Sequence, residues 1–329
     1  MSEYNDRESR SRYEELEPMS MADSQNKKAD YKDRLRNSID GEILFFDEDM
    51  GRHSSFRAGG KADVFIVPRN KMELVDVLEI LADSGEKYMV IGNGSNILVK
   101  DTGYKGAIVK IGSAFANIKI DGNLVRAGAG AFLINVSKEA CNSGLKGLEF
   151  AGGIPGSIGG AVFMNAGAYD EEIKDVISEV RVMSKDGREE TIRFPRDLKF
   201  GYRESDIQNT EQIVLGATFQ LKSDDRDEIL AKAKRLNEQR TLKQPVEFPS
   251  AGSFFKRPKN NYAGKLIQDA GLKGFQVGGA QVSEKHAGFV INKDKATATD
   301  IIELMNQVQK IVKDKFGVEL ETEVRIIGE

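Results

Sequence analysis

The sequence is poor in several residue types, and each shortage excludes a class of protein. Of its 329 residues one is a cysteine, two are histidines and none is a tryptophan. A single cysteine, Cys141, cannot form an internal disulfide, which is typical of a protein in a reducing cytosol. Cys141 lies in SKEACNSGL, a context that favours a small core residue over a nucleophile. With only His53 and His286 and no cysteine cluster, we expect no metal site.

Long apolar runs and an excess of positive charge are also missing. No stretch approaches the ~20 apolar residues of a membrane span, so we expect no transmembrane helix. The net charge of −4 argues against a nucleic-acid partner, which would call for a basic face. Residues 1–40 are charged, without a sustained period and without the apolar core of a signal peptide. We therefore predict a disordered leader over residues 1–40 on a cytoplasmic protein.

What remains is a mixture of helical and strand patterns that predicts an α+β protein. Val176–Met183 and Ile213–Leu221 are β-rich runs, whereas Met72–Ala82 and Asp227–Thr241 carry the helical period. After the leader, the patterns divide the chain into three parts. These predicted parts are residues 41–105, 106–222 and 223–329.

One stretch, AGGIPGSIGGAVFMNAGAY at Ala151–Tyr169, holds six glycines and no charged residue. Glycine inside an element costs roughly 0.5–1 kcal/mol relative to alanine, so something must offset six of them. One interpretation is a run of tight turns packed in the core. The other is a backbone surface that lies against a flat or phosphorylated ligand. The glycine count alone leaves both interpretations open.

A second small-residue loop, GNGSN at Gly92–Asn96, follows an apolar strand pattern. Its backbone N–H groups and its Ser and Asn side chains could hold phosphate oxygens. Neither this loop nor GAGAFL at Gly128–Leu133 satisfies the GxGxxG pattern, so a Rossmann dehydrogenase is disfavoured. The two loops could embrace one dinucleotide, or they could be unrelated turns. The candidate cofactor-binding residues are Gly92, Asn93, Gly94, Ser95, Asn96, Gly153, Ile154, Pro155, Gly156, Ser157, Gly159 and Gly160.

Five motifs in this order resemble the UDP-N-acetylenolpyruvoylglucosamine reductase family. They are IGNGSNILV, AGGIPGSIGGAVFMNAGAY, GYRES, SAGSFFKRP and LETEVRIIG, and the likeness runs from Phe46 to Gly328. The resemblance implies a two-part FAD-binding region of the PCMH/vanillyl-alcohol-oxidase type (residues 41–105 and 106–222). A C-terminal α+β substrate domain (223–329) would follow it. The glycines would then let backbone approach the flavin and its pyrophosphate.

The resemblance also implies an activity, that of a UDP-N-acetylmuramate dehydrogenase in peptidoglycan precursor synthesis. NADPH would reduce a non-covalent FAD. The enolpyruvyl ether of UDP-N-acetylglucosamine-enolpyruvate would then be reduced to the lactyl ether of UDP-N-acetylmuramate. Such a reduction needs hydride at the methylene carbon, a proton at the neighbouring carbon, and stabilisation of charge on the carboxylate between these events.

Three motif positions match the family's catalytic residues. Arg203 in GYRES has a planar fork suited to a carboxylate, and Glu323 in LETEVRIIG would be the second partner of the enolate. Ser253 in SAGSFFKRP would protonate carbon. Without the motifs, these residues would be interpreted as a surface ion pair, a solvent-facing strand residue and a turn hydroxyl. Ser250 lies nearby and has no assigned role.

The substrate-binding residues are less well defined. Lys243 in RTLKQP matches a diphosphate-contacting lysine of the family, and Lys256 is a candidate by proximity to Ser253. Arg257 stands where longer family members carry an asparagine. The 50 residues from Arg203 to Ser253 (253 − 203) are too few for the tyrosine-bearing loop of the longer class. We therefore expect the short class of the family, acting as a monomer.

Two rival functions follow from the same motifs. One is a flavin oxidase with FAD tethered to a histidine, for which His53 in GRHSSF is the candidate tether. The other is a non-catalytic UDP-sugar binder that kept the fold. The presence of Arg203, Ser253 and Glu323 together argues against a non-catalytic protein.

Overall fold

The computed structural model describes residues 31–329. Residues 1–30 of the predicted disordered leader therefore lie outside the described residues. For residues 31–40 the prediction of disorder was wrong. Residues 31–38 are helical, and Tyr31 and Leu35 are buried in the main core. Tyr31, Leu35 and Ile39 recur at a spacing of four, which places them on one face of a helix. No helix among residues 31–329 is long and apolar enough to cross a membrane.

The described chain combines helices of different lengths with mostly short strands. After the helical residues 31–38, the α-helices are Lys71–Asp83, Leu133–Asn142, Ile158–Phe163, Ile207–Thr210, Arg226–Lys243, Ala263–Asp269 and Ala298–Phe316. The strands are Leu44–Asp49, Lys61–Ile66, Tyr88–Ile91, Ile97–Val99, Tyr104–Lys110, Ile118–Asp121, Leu124–Gly128, Leu145–Lys146, Gly167–Ala168, Glu171–Glu172, Ile177–Met183, Glu190–Arg193, Ile213–Gln220, Lys222–Ser223, Gln276–Val277, Ala280–Val282, Val290–Asn292 and Arg325–Ile327. Single-turn 3₁₀ helices are Gly41–Ile43, Met50–His53, Ser113–Phe115, Glu149–Gly153, Ile173–Asp175 and Pro195–Asp197.

A mixed four-stranded sheet forms the first part of the fold. Its spatial order is Leu44–Asp49, Lys61–Ile66, Tyr104–Lys110 and Tyr88–Ile91, with the first pair antiparallel and the others parallel. The helix Lys71–Asp83 supplies the crossover that parallel pairing requires. Because Tyr104–Lys110 belongs wholly to this sheet, the predicted boundary at residue 105 falls inside a strand, and the first part reaches at least to Lys110.

The second part is a five-stranded antiparallel sheet. Its strands lie in the order Glu190–Arg193, Ile177–Met183, Ile213–Gln220, Leu124–Gly128 and Ile118–Asp121. One hydrophobic core joins this sheet to the first. The glycine-rich stretch lies beside it, as a 3₁₀ turn followed by the short helix Ile158–Phe163.

The third part has its own core, formed around the helix Ala298–Phe316. That helix begins at a capping box between Thr297 and Asp300, and it buries Ile301, Leu304 and Val308 against a small three-stranded sheet. The chain then returns to the first part, where Arg325–Ile327 pairs in parallel with Ile97–Val99. This return brings the C-terminal motif beside the first glycine loop.

Candidate active site

A cleft of about 410 Å³ lies where the three parts of the fold meet. Both glycine loops line it, together with residues of the second sheet, the segment 251–253 and the segment 323–325. The volume is within the range of small-molecule sites. The five motifs, far apart in the sequence, thus border a single space.

The two glycine loops contact each other in the wall of this cleft. A Cβ on Gly92 would collide with the Ser157 side chain, and a Cβ on Gly156 would come within 3.0 Å of Ser95 Oγ. Gly156 has a φ of +136°, a backbone conformation that L side chains rarely adopt. The loops are therefore not unrelated turns, since each is built to fit the other.

The glycines of the stretch Ala151–Tyr169 have different roles. A Cβ on Gly153 would lie 2.5 Å from Cδ of Arg240, so this glycine makes room for a side chain of the protein itself. A Cβ on Gly160 would meet only Ser157 Oγ, at an ordinary 3.7 Å, and Gly160 lines the cleft. The interpretation of close packing therefore holds at Gly153, and the interpretation of a ligand-facing backbone stays a prediction for Gly160.

Polar groups without partners mark the loops as a place for a ligand. Asn93 Nδ2 and Ser55 Oγ are buried and have no hydrogen-bond partner among residues 31–329. The Ser55 N–H donates to the Gly94 carbonyl, so both atoms belong to the first loop or its support. Asn93 lines the cleft and Ser55 does not. A buried donor without a partner is costly, and a phosphorylated cofactor in the cleft would satisfy the Asn93 amide. The residues present thus fit an FAD diphosphate.

Arg203 lies on a strained turn at one end of the cleft. Gly201 and Glu204 exchange backbone hydrogen bonds, and Arg203 between them has a φ of +60°. A non-glycine residue in this region costs of order 1–3 kcal/mol and persists only where its surroundings hold it. Here Asn165 Nδ2 donates to the Gly201 carbonyl at 2.8 Å, and Arg203 Nη2 donates to the Gly167 carbonyl at 3.3 Å. The turn therefore aims the guanidinium into the cleft.

The Arg203 guanidinium meets Glu323 across 120 residues of sequence. Arg203 Nε donates to Glu323 Oε1 at 2.6 Å, and the two side chains are only 19% and 12% exposed. Burial raises the pKa of Glu323 above its ordinary value, while the Arg203 charge partly opposes the rise. The pair is therefore a buried feature of the cleft, and Glu323 keeps its proton to higher pH than an exposed glutamate does.

Ser253 is held beside this pair by backbone bonds on both sides. Ser253 forms a β-bridge to Phe289, and the next residue, Phe254, receives the Glu323 N–H on its carbonyl at 2.9 Å. The Ser253 side chain lines the cleft, and its hydroxyl makes no hydrogen bond to another residue of 31–329. The three predicted catalytic residues thus border one cleft.

The predicted substrate-binding residues are more dispersed. Lys243 is exposed at the end of the helix Arg226–Lys243 and is not among the cleft-lining residues. Lys256 lies 3.6 Å from Glu321, and the exposed Arg257 lies over the Tyr262 ring. The structure therefore places these three residues outside the cleft wall, at or beyond its rim.

Two arginines in the cleft wall were missed by the sequence analysis. Arg240 and Arg325 both line the cleft, and neither forms a salt bridge within residues 31–329. Burial lowers the pKa of each guanidinium, and Arg325 lies 4.8 Å from the Phe163 ring centroid. Arg325 could have been found from its spacing, because it stands two residues from Glu323. Arg240 is half-buried, whereas Arg325 is exposed at the edge of the cleft. A half-buried cation without a carboxylate partner, such as Arg240, favours an anionic ligand.

The two histidines and the cysteine have structural surroundings. His53 stacks on Phe65 and hydrogen-bonds Glu48 at 2.9 Å, outside the cleft wall. That position argues against a tether to FAD. His286 Nδ1 accepts from the Gly288 N–H, and burial lowers its pKa. Cys141 is buried and burial raises its pKa to about 11, as expected of a core residue.

Comparison with known proteins gives two matching domains. Residues 62–193 match an FAD binding domain, and residues 244–327 match the C-terminal domain of UDP-N-acetylenolpyruvoylglucosamine reductase. A Clostridium botulinum protein of that name is 53% identical over 281 residues, which cover 85% of this chain and 91% of the relative. A Caldicellulosiruptor bescii protein of the same name is 48% identical, over 90% of this chain and 93% of the relative.

A solved structure agrees with these relatives. The crystal structure of UDP-N-acetylenolpyruvylglucosamine reductase from Thermus caldophilus is similar over 87% of this chain and 98% of that chain. The TM-score is 0.75 and the sequence identity is 33%. The similarity therefore extends over both matched domains, as the predicted α+β fold requires.

Proposed function

The chain belongs to the UDP-N-acetylenolpyruvoylglucosamine reductase family, and from this premise we propose the role of each site residue in the reaction. It is an FAD-containing oxidoreductase that uses NADPH to reduce the enolpyruvyl ether of UDP-N-acetylglucosamine-enolpyruvate in peptidoglycan precursor synthesis. FAD supplies the hydride when bound. The predicted α+β fold class, with an FAD-binding region before a C-terminal reductase domain, is confirmed.

We propose that the loops Gly92–Asn96 and Gly153–Gly160 hold the cofactor. The support is their mutual contact, the unpaired Asn93 amide and the open space in front of Gly160. Arg240, which packs on Gly153, adds a positive charge to the same wall. Backbone amides and one buried cation are a suitable lining for a ligand that carries a diphosphate.

Three residues of the cleft perform the chemistry on the enolpyruvyl group. The Arg203 fork and the proton of Glu323 bind the substrate carboxylate, where negative charge collects after hydride reaches the methylene carbon. Ser253 then gives its hydroxyl proton to the carbon that bears the carboxylate. A hydroxyl is a weak acid in water, but an enolate carbon is a strong base, which makes the transfer favourable. The single observation that carries this proposal is the buried 2.6 Å Arg203–Glu323 contact beside Ser253.

The test is an anaerobic absorbance experiment on the purified protein. The flavin band should bleach on addition of NADPH and return on addition of the enolpyruvyl sugar nucleotide. A flavin that denaturation does not release would support the tethered oxidase. A band that NADPH bleaches but the sugar nucleotide does not restore would contradict the proposed function.

The glycine argument predicts a loss of FAD binding on substitution of Gly160. Gly160→Phe would place a ring in the open space of the cleft, and overpacking commonly costs about 1–3 kcal/mol, which corresponds to a rise of roughly 5- to 150-fold in the Kd for FAD. Gly160→Ala adds only a methyl group in ordinary contact and serves as the control. Both Kd values are measured by flavin fluorescence. Equal affinity in the two variants would place FAD elsewhere. Gly156 is a poorer site for this test, because its φ of +136° strains any replacement.

The raised pKa of Glu323 predicts a descending limb in the pH–rate profile of one half-reaction, the reoxidation of the flavin by substrate. The protonated form supplies the hydrogen bond to the carboxylate, so reoxidation by substrate should slow as pH rises through the raised pKa. Glu323→Gln keeps an N–H donor and cannot titrate, so its slower reoxidation should lack this limb. Bleaching by NADPH is the internal control and should show no such difference. An identical limb in both proteins would assign the titration to another group.

We also propose that the enzyme acts as a monomer in the cytoplasm and supports cell shape and division through wall synthesis. The buried, single cysteine is consistent with a reducing compartment. We also propose that the chain after the leader is divided into three parts, with the boundary between the first and second parts after Lys110.

A further inference from the structure

Two asparagines of the first glycine loop have opposite surroundings. Both line the cleft, and both are candidates for cofactor binding. The buried Nδ2 of Asn93 has no hydrogen-bond partner among residues 31–329. Asn96 Nδ2, three residues later, donates to the carbonyl of Glu323 at 3.0 Å. The donor of Asn93 is thus free for a ligand, whereas the donor of Asn96 is occupied by the protein itself.

The Asn96 contact joins the first glycine loop to the C-terminal segment just before its strand. The parallel ladder starts at Arg325, whose N–H donates to the Asn96 carbonyl at 3.0 Å. Glu323 precedes that strand, so the ladder does not hold its carbonyl. The Asn96 side chain binds it instead, and the same nitrogen contacts Met164 Sδ of the glycine-rich stretch at 3.7 Å. One side chain thus extends the hold on the C-terminal segment two residues toward the cleft.

Glu323 is consequently fixed by three different parts of the fold. Its N–H donates to the carbonyl of Phe254, the residue after Ser253, at 2.9 Å. Its carboxyl accepts from Arg203 Nε at 2.6 Å, and its carbonyl accepts from the Asn96 amide. The first two contacts tie Glu323 to the other predicted catalytic residues. The third ties it to the loop that we propose holds the cofactor.

The reaction gives this third contact a purpose. Hydride transfer and stabilisation of the carboxylate act on the same substrate molecule, so the Glu323 carboxyl must keep a fixed distance from the cofactor. A misplacement of about 1 Å can cost on the order of 100-fold in rate. A carbonyl that loses its donor is also less stable, which favours movement of the segment that carries it. The rate of reoxidation should therefore depend on the Asn96 side chain.

We propose that Asn96 is a positioning residue that sets the place of Glu323 relative to the cofactor, a proposal that rests on the proposed function. The side chain of Asn93, not that of Asn96, binds the cofactor. The backbone of both residues remains part of the cofactor loop. The amide end of Asn96 that faces Glu323 must be the NH₂ group, because two oxygens 3.0 Å apart would repel each other.

The two asparagines should fail in different measurements. Asn93→Ala should raise the Kd for FAD by about 10- to 100-fold, the loss expected when a hydrogen bond to a charged group is removed. Asn96→Ala should keep the wild-type Kd and bleach normally with NADPH, yet its limiting rate of reoxidation should fall by about 10- to 100-fold. Flavin fluorescence gives the Kd, and anaerobic stopped-flow absorbance gives the rates. A rise in the Kd for Asn96→Ala like that for Asn93→Ala would make Asn96 a cofactor ligand and overturn the proposal.

A double-mutant cycle separates positioning from a general disturbance of the loop. In the Glu323→Ala background no carboxyl is left to position, so adding Asn96→Ala should change the limiting reoxidation rate by no more than about twofold. Independent effects would multiply, and the loss of about 10- to 100-fold would then appear in both backgrounds, which would overturn the proposal. Asn70→Ala is the matched control outside the cleft. It removes one asparagine hydrogen bond, from the Glu73 N–H at 2.9 Å, and should change neither half-reaction.

A readout without substrate keeps this inference separate from the proposed reaction. NMR of isotope-labelled glutamate carboxyls in the holoenzyme reports on Glu323, whose signal is identified by its loss in Glu323→Ala. That signal should shift and change its titration midpoint in Asn96→Ala, and it should stay in place in Asn70→Ala. If the enolpyruvyl compound fails to reoxidise the wild-type flavin, the proposed function fails, yet the NMR comparison still decides the role of Asn96. An unchanged Glu323 signal in Asn96→Ala would overturn that role even if reoxidation proceeds.

Discussion

Ser253→Ala is expected to bleach normally with NADPH and to reoxidise about 10²–10⁴-fold more slowly with the enolpyruvyl substrate, the usual loss of a placed general acid. A proton donor to carbon acts only in the second half of the cycle. The backbone position of residue 253 depends on the bridge to Phe289 and not on the hydroxyl, so alanine should leave the fold unchanged. FAD content and substrate affinity should also be preserved. Stopped-flow absorbance of the flavin under anaerobic conditions measures both halves.

Two further variants sharpen the assignment of Ser253. Ser253→Cys retains a proton and should recover part of the rate if sulfur fits the cleft wall. Ser250→Ala removes a hydroxyl three residues away that does not line the cleft, and it should behave as the wild type in both halves. If Ser253→Ala slows bleaching as much as reoxidation, Ser253 positions the flavin and another group is the acid.

The spacing of apolar residues along the sequence predicted most of the secondary structure, because it shows which face of a helix or strand is buried. The prediction of a helix over Asp227–Thr241 agrees with Arg226–Lys243. Apolar periodicity did not predict which side chain faces inward where that side chain is charged. That helix buries only one apolar side chain, Ile229, and sends Arg240 into the cleft. The charge of residues 31–40 likewise concealed the helical spacing of Tyr31 and Leu35.

The candidate site was predictable only through the family motifs. The Arg203–Glu323 contact joins residues 120 positions apart, and no local rule relates them. Glu323 was expected within an alternating strand, whereas the strand begins at Arg325 and Glu323 precedes it. The left-handed conformation of Arg203 has no sequence signal either, since it depends on the hydrogen bond from Asn165 to the turn.

Arg203→Lys is expected to preserve bleaching by NADPH and to slow substrate reduction by about 10²–10³-fold, the loss typical of a donor aimed at developing charge. Lysine keeps the positive charge, so a purely electrostatic role would be largely retained. It loses the planar fork, which binds Glu323 through Nε and the Gly167 carbonyl through Nη2 at the same time. The backbone strain at φ +60° is the same for both side chains, so the variant isolates the fork.

The carboxyl of Glu323 supplies a second readout for Arg203. The Arg203 charge lowers a pKa that burial raises, so removing the charge altogether in Arg203→Met should raise the pKa of Glu323 further. The pH limb of reoxidation should then move to higher pH in Arg203→Met and stay near its wild-type position in Arg203→Lys. A surface ion pair would produce neither the rate loss nor the displaced limb. Wild-type rates in Arg203→Lys would therefore remove Arg203 from the catalytic group, and a fixed limb in Arg203→Met would show that the titrating group is not Glu323.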